Sequence, residues 1–262
     1  MTSINNKIVW ITGASSGIGE ALAYELASRN CKLILSARNI EALEKVKANC
    51  KIDVFILPLD LSDFDKAKTH AQNAIAAFGK IDVLINNGGI SQRSLIIDTD
   101  FSVDQKLIEV DYLGTVALTK AILPHFINNK NGQFVTITSL MGKFGSPYRS
   151  GYCGAKHALH GFFDVLRMEH QKDNIKVTLI CPGFISTNVA KNALTANGEA
   201  QNKDDDATKN GMSAAIFAKK FVKAIESKKF EIAIGGKETI GVFLKRFFPR
   251  FLHYFVFKSK VR

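Results

Sequence analysis

An apolar run that stops at a glycine-rich turn limits the folds open to this chain. Lys7-Ile8-Val9-Trp10-Ile11 is mostly apolar and rich in strand formers, the composition of a strand buried on both faces. It leads into Thr12-Gly13-Ala14-Ser15-Ser16-Gly17-Ile18-Gly19, after which Ile18, Leu22 and Leu26 recur every four residues, as along one helix face. A strand, a glycine turn and a helix N-terminus together make a phosphate site. Backbone N–H groups and the helix dipole meet the anion, and the missing side chains allow close approach. The glycines are spaced G-x-x-x-G-x-G rather than G-x-G-x-x-G, and an ordinary strand-to-helix turn is the alternative reading.

The rest of the chain repeats the alternation. Strands are expected at 7–12, 32–36, 53–57, 81–86, 132–138, 175–181 and 230–234, and helices near 17–29, 39–49, 63–78, 102–127, 151–171 and 212–227. This order implies an α/β fold: a single-domain, Rossmann-like, doubly wound parallel sheet of about seven strands with helices on both faces. Ligands of such sheets bind at the carboxyl ends of the strands, where Thr12, Asp60, Asn86 and Ser139 all fall. The 262 residues suit one domain, with no repeat and no Pro/Gly/Ser linker. We divide the chain into a dinucleotide-binding and catalytic domain, 1–236, and a basic aromatic extension, 237–262.

Tyr152 and Lys156 carry the candidate chemistry. At Y-x-x-x-K spacing they share a helix face, and a lysine ammonium beside a phenol favours the phenolate. That makes Tyr152 a candidate proton donor and acceptor, with Ser139 thirteen positions upstream.

Read in order, T-G-A-S-S-G-I-G at 12–19, D-L at 60–61, N-N-G-G at 86–89, Ser139, Y-C-G-A-K at 152–156, P-G at 182–183 and Thr187 resemble the short-chain dehydrogenase/reductase family over nearly the whole chain. Within it, NNGGISQRSL at 86–95 and GYCGAKHALHGFF at 151–163 look most like the branch of the dehydrogenase/reductase 7 proteins and the 11-beta-hydroxysteroid dehydrogenases. The resemblance implies a nicotinamide cofactor held by Gly13, Ser15, Ser16, Gly17, Ile18 and Gly19. Asp60 and Leu61 would line the adenine pocket, and Asn87, Gly88 and Gly89 would pack under the adenosine. Pro182, Gly183, Ile185 and Thr187 would hold the nicotinamide end, and Lys156 would also bond the nicotinamide ribose. Ser139 would bond the substrate oxygen while Tyr152 exchanges its proton. The nicotinamide does the redox chemistry, and the protein supplies geometry and proton transfer.

Two positions refine this picture. The second strand ends Leu33-Ile34-Leu35-Ser36-Ala37-Arg38, without the acidic residue that an NAD enzyme usually places there. Arg38 suits a 2′-phosphate through its planar fork, so NADP(H) is the expected cofactor; a solvated surface arginine is the alternative. A basic residue inside the glycine loop, the second family marker, is missing, since Ser15 and Ser16 stand there. The family also carries an asparagine where this chain has Asp111. There it keeps a helix irregularity and a water path to the lysine. A carboxylate near Lys156 would favour the lysine cation, and Asp111 is the expected fourth catalytic member.

Other features exclude or extend functions. Cys31, Cys50, Cys153 and Cys181 have no metal or disulfide-framework spacing and read as reduced, buried thiols, and His157 and His160 lack the partners of a metal site, so no metal is expected. The first strand begins within ten residues of Met1, leaving no room for an N-terminal anchor, and a cytoplasmic location is expected. Residues 188–211, including the solvated-looking run Lys203-Asp204-Asp205-Asp206, fall where the family places a substrate lid, expected to be partly disordered.

Net charge is +11, and residues 237–262 hold seven Lys/Arg against one Glu, together with seven aromatics. The aromatics fall on one helical face and do not interleave with charge, which argues against nucleic acid. Ile240, Phe243, Leu244, Phe247, Phe248, Phe251, Leu252 and Phe255 fit one face of a helix pair broken by Pro249, suited to an anionic membrane surface through 240–262 or to packing on the substrate site or a second subunit. The family implies a homo-oligomer, dimer or tetramer, through the helices at 102–127 and 151–171. The reading as a whole is an NADP(H)-dependent oxidoreductase of an alcohol/carbonyl pair in an apolar small molecule. The alternative is a non-catalytic nucleotide-binding member of the family.

Overall fold

The structure is a computed structural model that describes residues 3–259. The sheet contains β1 (Ile8–Thr12), β2 (Lys32–Ser36), β3 (Val54–Ile56), β4 (Val83–Asn86), β5 (Gly132–Ile137) and β6 (Ile175–Pro182). A short pair, β7 (Ile185–Ser186) and β8 (Met212–Ser213), stands apart, and β9 (Glu231–Ile234) closes the main sheet. The helices are α1 (Gly17–Ala27), α2 (Ile40–Ala48), α3 (Ala67–Phe78), α4 (Phe101–Ile108), α5 (Gly114–Asn128), α6 (Ser150–Glu169), α7 (Asp206–Lys209), α8 (Ala214–Glu226), α9 (Ile240–Phe247) and α10 (Pro249–Lys258).

Seven strands run in the order β3-β2-β1-β4-β5-β6-β9, every pairing parallel. The order reverses between β1 and β4, and their carboxyl ends splay into a crevice there. Alternation along β1 divides the core. Val9 and Ile11 pack with Leu22, Leu26, Phe217 and Phe221 on one face, and Ile8 and Trp10 with Leu84, Phe126, Phe134 and Phe163 on the other. Trp10 is core, as its place in the strand suggests, with its indole N–H on Ser36 Oγ at 2.9 Å.

The helix expected over 102–127 is two helices joined by a π-helical stretch, Glu109–Leu113. Such a stretch carries one residue more per turn and marks functional sites. Here Asp111 lies inside it, fully buried. Beside it, an added Cβ at Gly114 would collide with the Leu61 carbonyl, so α5 touches the loop after β3 directly.

The 188–211 segment, expected to be partly disordered, is instead tied down. Arg93 N–H donates to the Leu194 carbonyl, and Leu194 N–H to the Ser91 carbonyl, each at 2.8 Å. The C-terminal segment forms the expected helix pair, with the break at Phe248 (φ −135°, ψ 58°) ahead of Pro249. Its apolar residues do not share one face, however. Leu252 is buried and Leu244 half-buried, while Phe243, Phe247, Phe248, Phe251 and Phe255 are exposed. The bend at Phe248 turns the two helices so that their leucines meet the domain and their phenyls leave it. Lys260, Val261 and Arg262 of the extension, like Met1 and Thr2 of the domain, lie outside the described residues. Among the described residues no helix is long and apolar enough to cross a membrane.

Candidate active site

The crevice opens into one cavity of about 1700 Å³. Every catalytic or cofactor-binding residue expected from the sequence lines it except Gly19 and Asp111. Gly19 stands behind the loop, where an added Cβ would lie 2.7 Å from the Asn87 amide, so it packs the loop on itself and faces no ligand. Gly13 has φ +64°, and a Cβ there would sit 2.7 Å from Gly88 Cα. These strand ends can approach only without side chains.

Thr12 and Asn87 hold the two loops together. Asn87 N–H and Gly88 N–H both donate to Thr12 Oγ1, at 3.0 and 2.9 Å. The Asn87 amide donates to the carbonyls of Thr12 and Gly13 at 2.9 and 3.0 Å. Asn87 therefore shapes the glycine loop, a role its place in N-N-G-G does not reveal. Ser16 occupies the N-cap position of α1, yet its hydroxyl caps nothing, which leaves the helix N-terminus to the cavity.

Asp60 accepts from Ser62 N–H and Ser62 Oγ at 2.9 and 2.7 Å. Burial pushes its carboxyl up, but those bonds and the cations Arg38 and Lys106 outweigh burial and hold it below the usual carboxylate range. Arg38 is exposed at the cavity rim. On the far side Thr187 approaches the glycine loop: a Cβ at Gly17 would meet its methyl at 3.2 Å. Glu238, which sequence reasoning missed, braces the Pro182–Phe184 turn by accepting from Phe184 N–H at 3.0 Å and Gly236 N–H at 2.9 Å.

Ser139, Tyr152 and Lys156 converge from two elements. Ser139 lies just past the end of β5 and caps the next turn, accepting from Met141 N–H at 3.1 Å. Tyr152 and Lys156 share α6, with the ammonium 5.6 Å from the Tyr152 ring centre. Lys156 Nζ lies 3.5 Å from Asp111 Oδ2, and Asp111 Oδ1 accepts from Ile90 N–H at 2.7 Å. Burial drives the Asp111 carboxyl above the usual range, against the pull of Lys156 and the Ile90 bond. Asp111 thus meets Lys156, the approach on which its effect on the lysine depends, from beneath the cavity floor.

Four buried residues escaped sequence reasoning. Gln92 Oε1 accepts from Gly151 N–H at 2.9 Å and Tyr152 N–H at 3.4 Å, satisfying the first turn of α6. Asp205, read as part of a solvated loop, is buried, with its Oδ2 2.6 Å from Arg93 and 3.3 Å from Arg149. Burial, then Arg93, lowers the Arg149 guanidinium to about 10 against the pull of Asp205. In sequence an acidic run is indistinguishable from a solvated one, and only the two distant arginines change its meaning.

His160, one turn beyond Lys156, lies between Cys181 and Glu231, and their ligand atoms fall within 4.8 Å of one another. It turns Nε2 to the thiol at 3.9 Å and Nδ1 to the carboxylate at 3.1 Å, so its nitrogens do not converge on one point. Glu231 also meets Lys143 at 3.0 Å, joining α6 to the turn after Ser139. His160, then Lys143, pull the Glu231 carboxyl down to about 2 despite burial. Burial pushes the Cys181 thiol up to about 12. His157 bonds its own helix at the Cys153 carbonyl, 2.8 Å away.

A dinucleotide crevice leading to a Ser/Tyr/Lys cluster defines a dehydrogenase of the short-chain type, and residues 7–198 match the short chain dehydrogenase family model. The chain belongs to that family of NAD(P)(H)-dependent oxidoreductases. It is 40% identical, over 98% of its own length and 84% of the relative's, to Dehydrogenase/reductase SDR family protein 7-like of Anopheles gambiae. It is 47% identical to Dehydrogenase/reductase SDR family member 7 of Homo sapiens, over 73% of this chain and 59% of that protein. A short chain dehydrogenase/reductase from Burkholderia phymatum, solved in complex with NAD, shares the fold at TM-score 0.83 and 24% identity, with 94% of this chain and 95% of that one covered.

Proposed function

We propose that the protein is an NADP(H)-dependent alcohol dehydrogenase/carbonyl reductase of apolar small molecules. The observation that carries this reading is the single cavity joining the glycine loop and Arg38 to Tyr152 and on to an apolar chamber of Val103, Phe144, Phe184, Leu194 and Leu252. The crevice suits a dinucleotide: the open helix N-terminus and the side-chain-free approach of Gly13 to Gly88 leave room for a pyrophosphate. Arg38 would pair with the 2′-phosphate, and the carboxylate that would repel it is missing from the end of β2.

A nicotinamide bound there supplies or takes up the hydride. Residues of this chain do the rest. Ser139 Oγ orients the substrate oxygen. Tyr152 protonates that oxygen in reduction and deprotonates it in oxidation. The Lys156 ammonium attracts the charge that develops on the phenolic oxygen, and Asp111 keeps the ammonium in place from below. The apolar chamber excludes water and favours a greasy substrate over a charged one.

The test is binding and turnover with both cofactors. Wild-type protein should bind NADPH more tightly than NADH and oxidise it with a panel of apolar ketones and aldehydes, and Arg38→Asp should reverse the preference. Equal dissociation constants for the two cofactors would remove the argument from Arg38. No turnover with any carbonyl or alcohol would remove the catalytic reading.

A further inference from the structure

The turn that leaves β6 is tied on both sides by main chain and in its middle by a side chain. Gly183 N–H donates to the Ile234 carbonyl at 2.9 Å, carrying the β6–β9 pairing past Pro182. The Phe184 carbonyl accepts from Met212 N–H at 2.9 Å, where the β7–β8 pair begins. Between these, Phe184 N–H donates to Glu238 Oε1 at 3.0 Å. The same oxygen accepts from Gly236 N–H at 2.9 Å, so one carboxylate bridges the turn after β6 and the turn after β9. A hydrogen bond to a carboxylate is stronger than one to a neutral acceptor, and a half-buried N–H deprived of it is left unsatisfied. The fit around Glu238 is close. An added Cβ at Gly183 would collide with Glu238 Oε1, and one at Gly235 would lie 2.6 Å from it. Gly183 does not have a positive φ, so its backbone would accept a side chain, and Glu238 fills the space that side chain would need. Pro182, Gly183, Phe184 and Glu238 all line the cavity, together with Tyr152 and Lys156.

We propose that Glu238 is a positioning residue for the nicotinamide: by holding Phe184 N–H it fixes the shape of the turn at 182–184. The inference rests on the reading given above, that this turn holds the nicotinamide end of the cofactor. Glu238 acts through the backbone of Gly183 and Phe184 and takes no part in proton or hydride transfer. It stands between β9 and α9, so the start of the C-terminal segment shapes the cofactor site as well as following it in the chain. If Glu238 only fastened the chain end to the sheet, its loss would weaken the fold without distinguishing one part of the cofactor from another. A positioning role makes that distinction, because the turn lies far along the crevice from Arg38 and the glycine loop, on the side of Tyr152.

Calorimetric titration of the full chain with NADPH and with 2′-phospho-ADP-ribose, which lacks the nicotinamide, tests this without any turnover. Glu238→Ala should weaken NADPH binding by about tenfold and leave 2′-phospho-ADP-ribose binding unchanged. Glu238→Gln keeps an acceptor oxygen in the same place and should restore most of the loss. Gly183→Ala should weaken NADPH binding in the wild-type background but not in Glu238→Ala, where the added methyl takes the space the carboxylate leaves. If Glu238→Ala does not fold, Gly183→Ala alone must weaken NADPH and spare the shorter ligand. Equal loss of the two ligands in either variant overturns the proposal, since Glu238 would then hold only the fold. A Glu238→Gln protein as impaired as Glu238→Ala overturns it too, since charge would then matter and not the bond to Phe184. A wild type that binds NADPH no more tightly than the shorter ligand overturns the nicotinamide reading and this inference with it. A wild type that does, beside a Glu238→Ala protein with unchanged NADPH affinity, overturns this inference alone.

Discussion

The two ends of the cavity are built by opposite means. The cofactor end is made of backbone: strand termini that touch because Gly13 and Gly88 have no side chains, fastened by Thr12 and Asn87. The far end is made of side chains from remote segments, with Asp205 reaching Arg93 and Arg149 across 112 and 56 positions of chain. The first is fixed by the ends of two neighbouring strands, β1 and β4, and tolerates little change. The second depends on charges and apolar contacts that a different loop would supply differently, which is how one fold serves many substrates.

The largest effect should come where the ends meet. Tyr152→Phe removes the proton donor and should cut turnover by about 10²–10⁴ while leaving NADPH affinity unchanged, read by steady-state kinetics and cofactor fluorescence. More than about a tenth of wild-type turnover would mean that proton transfer does not pass through Tyr152. Next is the far end. Asp205→Ala leaves two buried guanidiniums without the carboxylate between them. Breaking such a pair typically costs about 3–5 kcal/mol, to be measured by urea unfolding. A loss confined to substrate affinity, with stability intact, would show that Asp205 serves the ligand and not the fold.

Asp111→Asn should act through pH. The folded carboxyl is raised, so folding favours the neutral acid more than the unfolded chain does, and that advantage is fully present below the ordinary aspartate value and is lost as pH rises through the folded one. The stability of Asp111→Asn relative to wild type should therefore grow with pH. The Lys156–Asp111 ion pair is lost as pH falls through the same raised value, so the acid limb of the wild-type pH–rate profile should lie above the ordinary carboxylate range and vanish in the variant. Superimposable profiles would disconnect Asp111 from proton transfer.

The smallest effect is expected for Glu231→Gln. Its carboxyl is lowered to about 2, so its contribution to stability is complete above the ordinary glutamate value and is lost as pH falls toward 2. Wild type and variant should differ at neutral pH and converge across that acid window in thermal unfolding. Because Glu231 is partly exposed, the difference should be modest.

The same contrast explains what the sequence disclosed. The glycine loop, Ser139, Tyr152 and Lys156 were legible because their chemistry needs fixed residues at short, fixed spacings. The sheet was legible because strands buried on both faces read as unbroken apolar runs. Gln92, Asp205, Glu231 and Glu238 were not, since a polar residue inside a fold looks the same in sequence as one in water. The helix pair was visible as a pattern, but its two faces were not. Within α9 itself Leu244 is half-buried while Phe243 and Phe247 are exposed, a division that the apolar pattern alone does not encode.

Gln92 couples motions that would otherwise be separate. Its amide holds the first turn of the helix bearing Tyr152, while its two neighbours, Ser91 and Arg93, clasp Leu194 through the backbone. Any displacement of 188–211 that pulls Leu194 away must slacken the chain on both sides of that amide, and with it the aim of the phenol. The segment that carries Leu194 is thereby tied, through three consecutive residues, to the helix that carries the phenol.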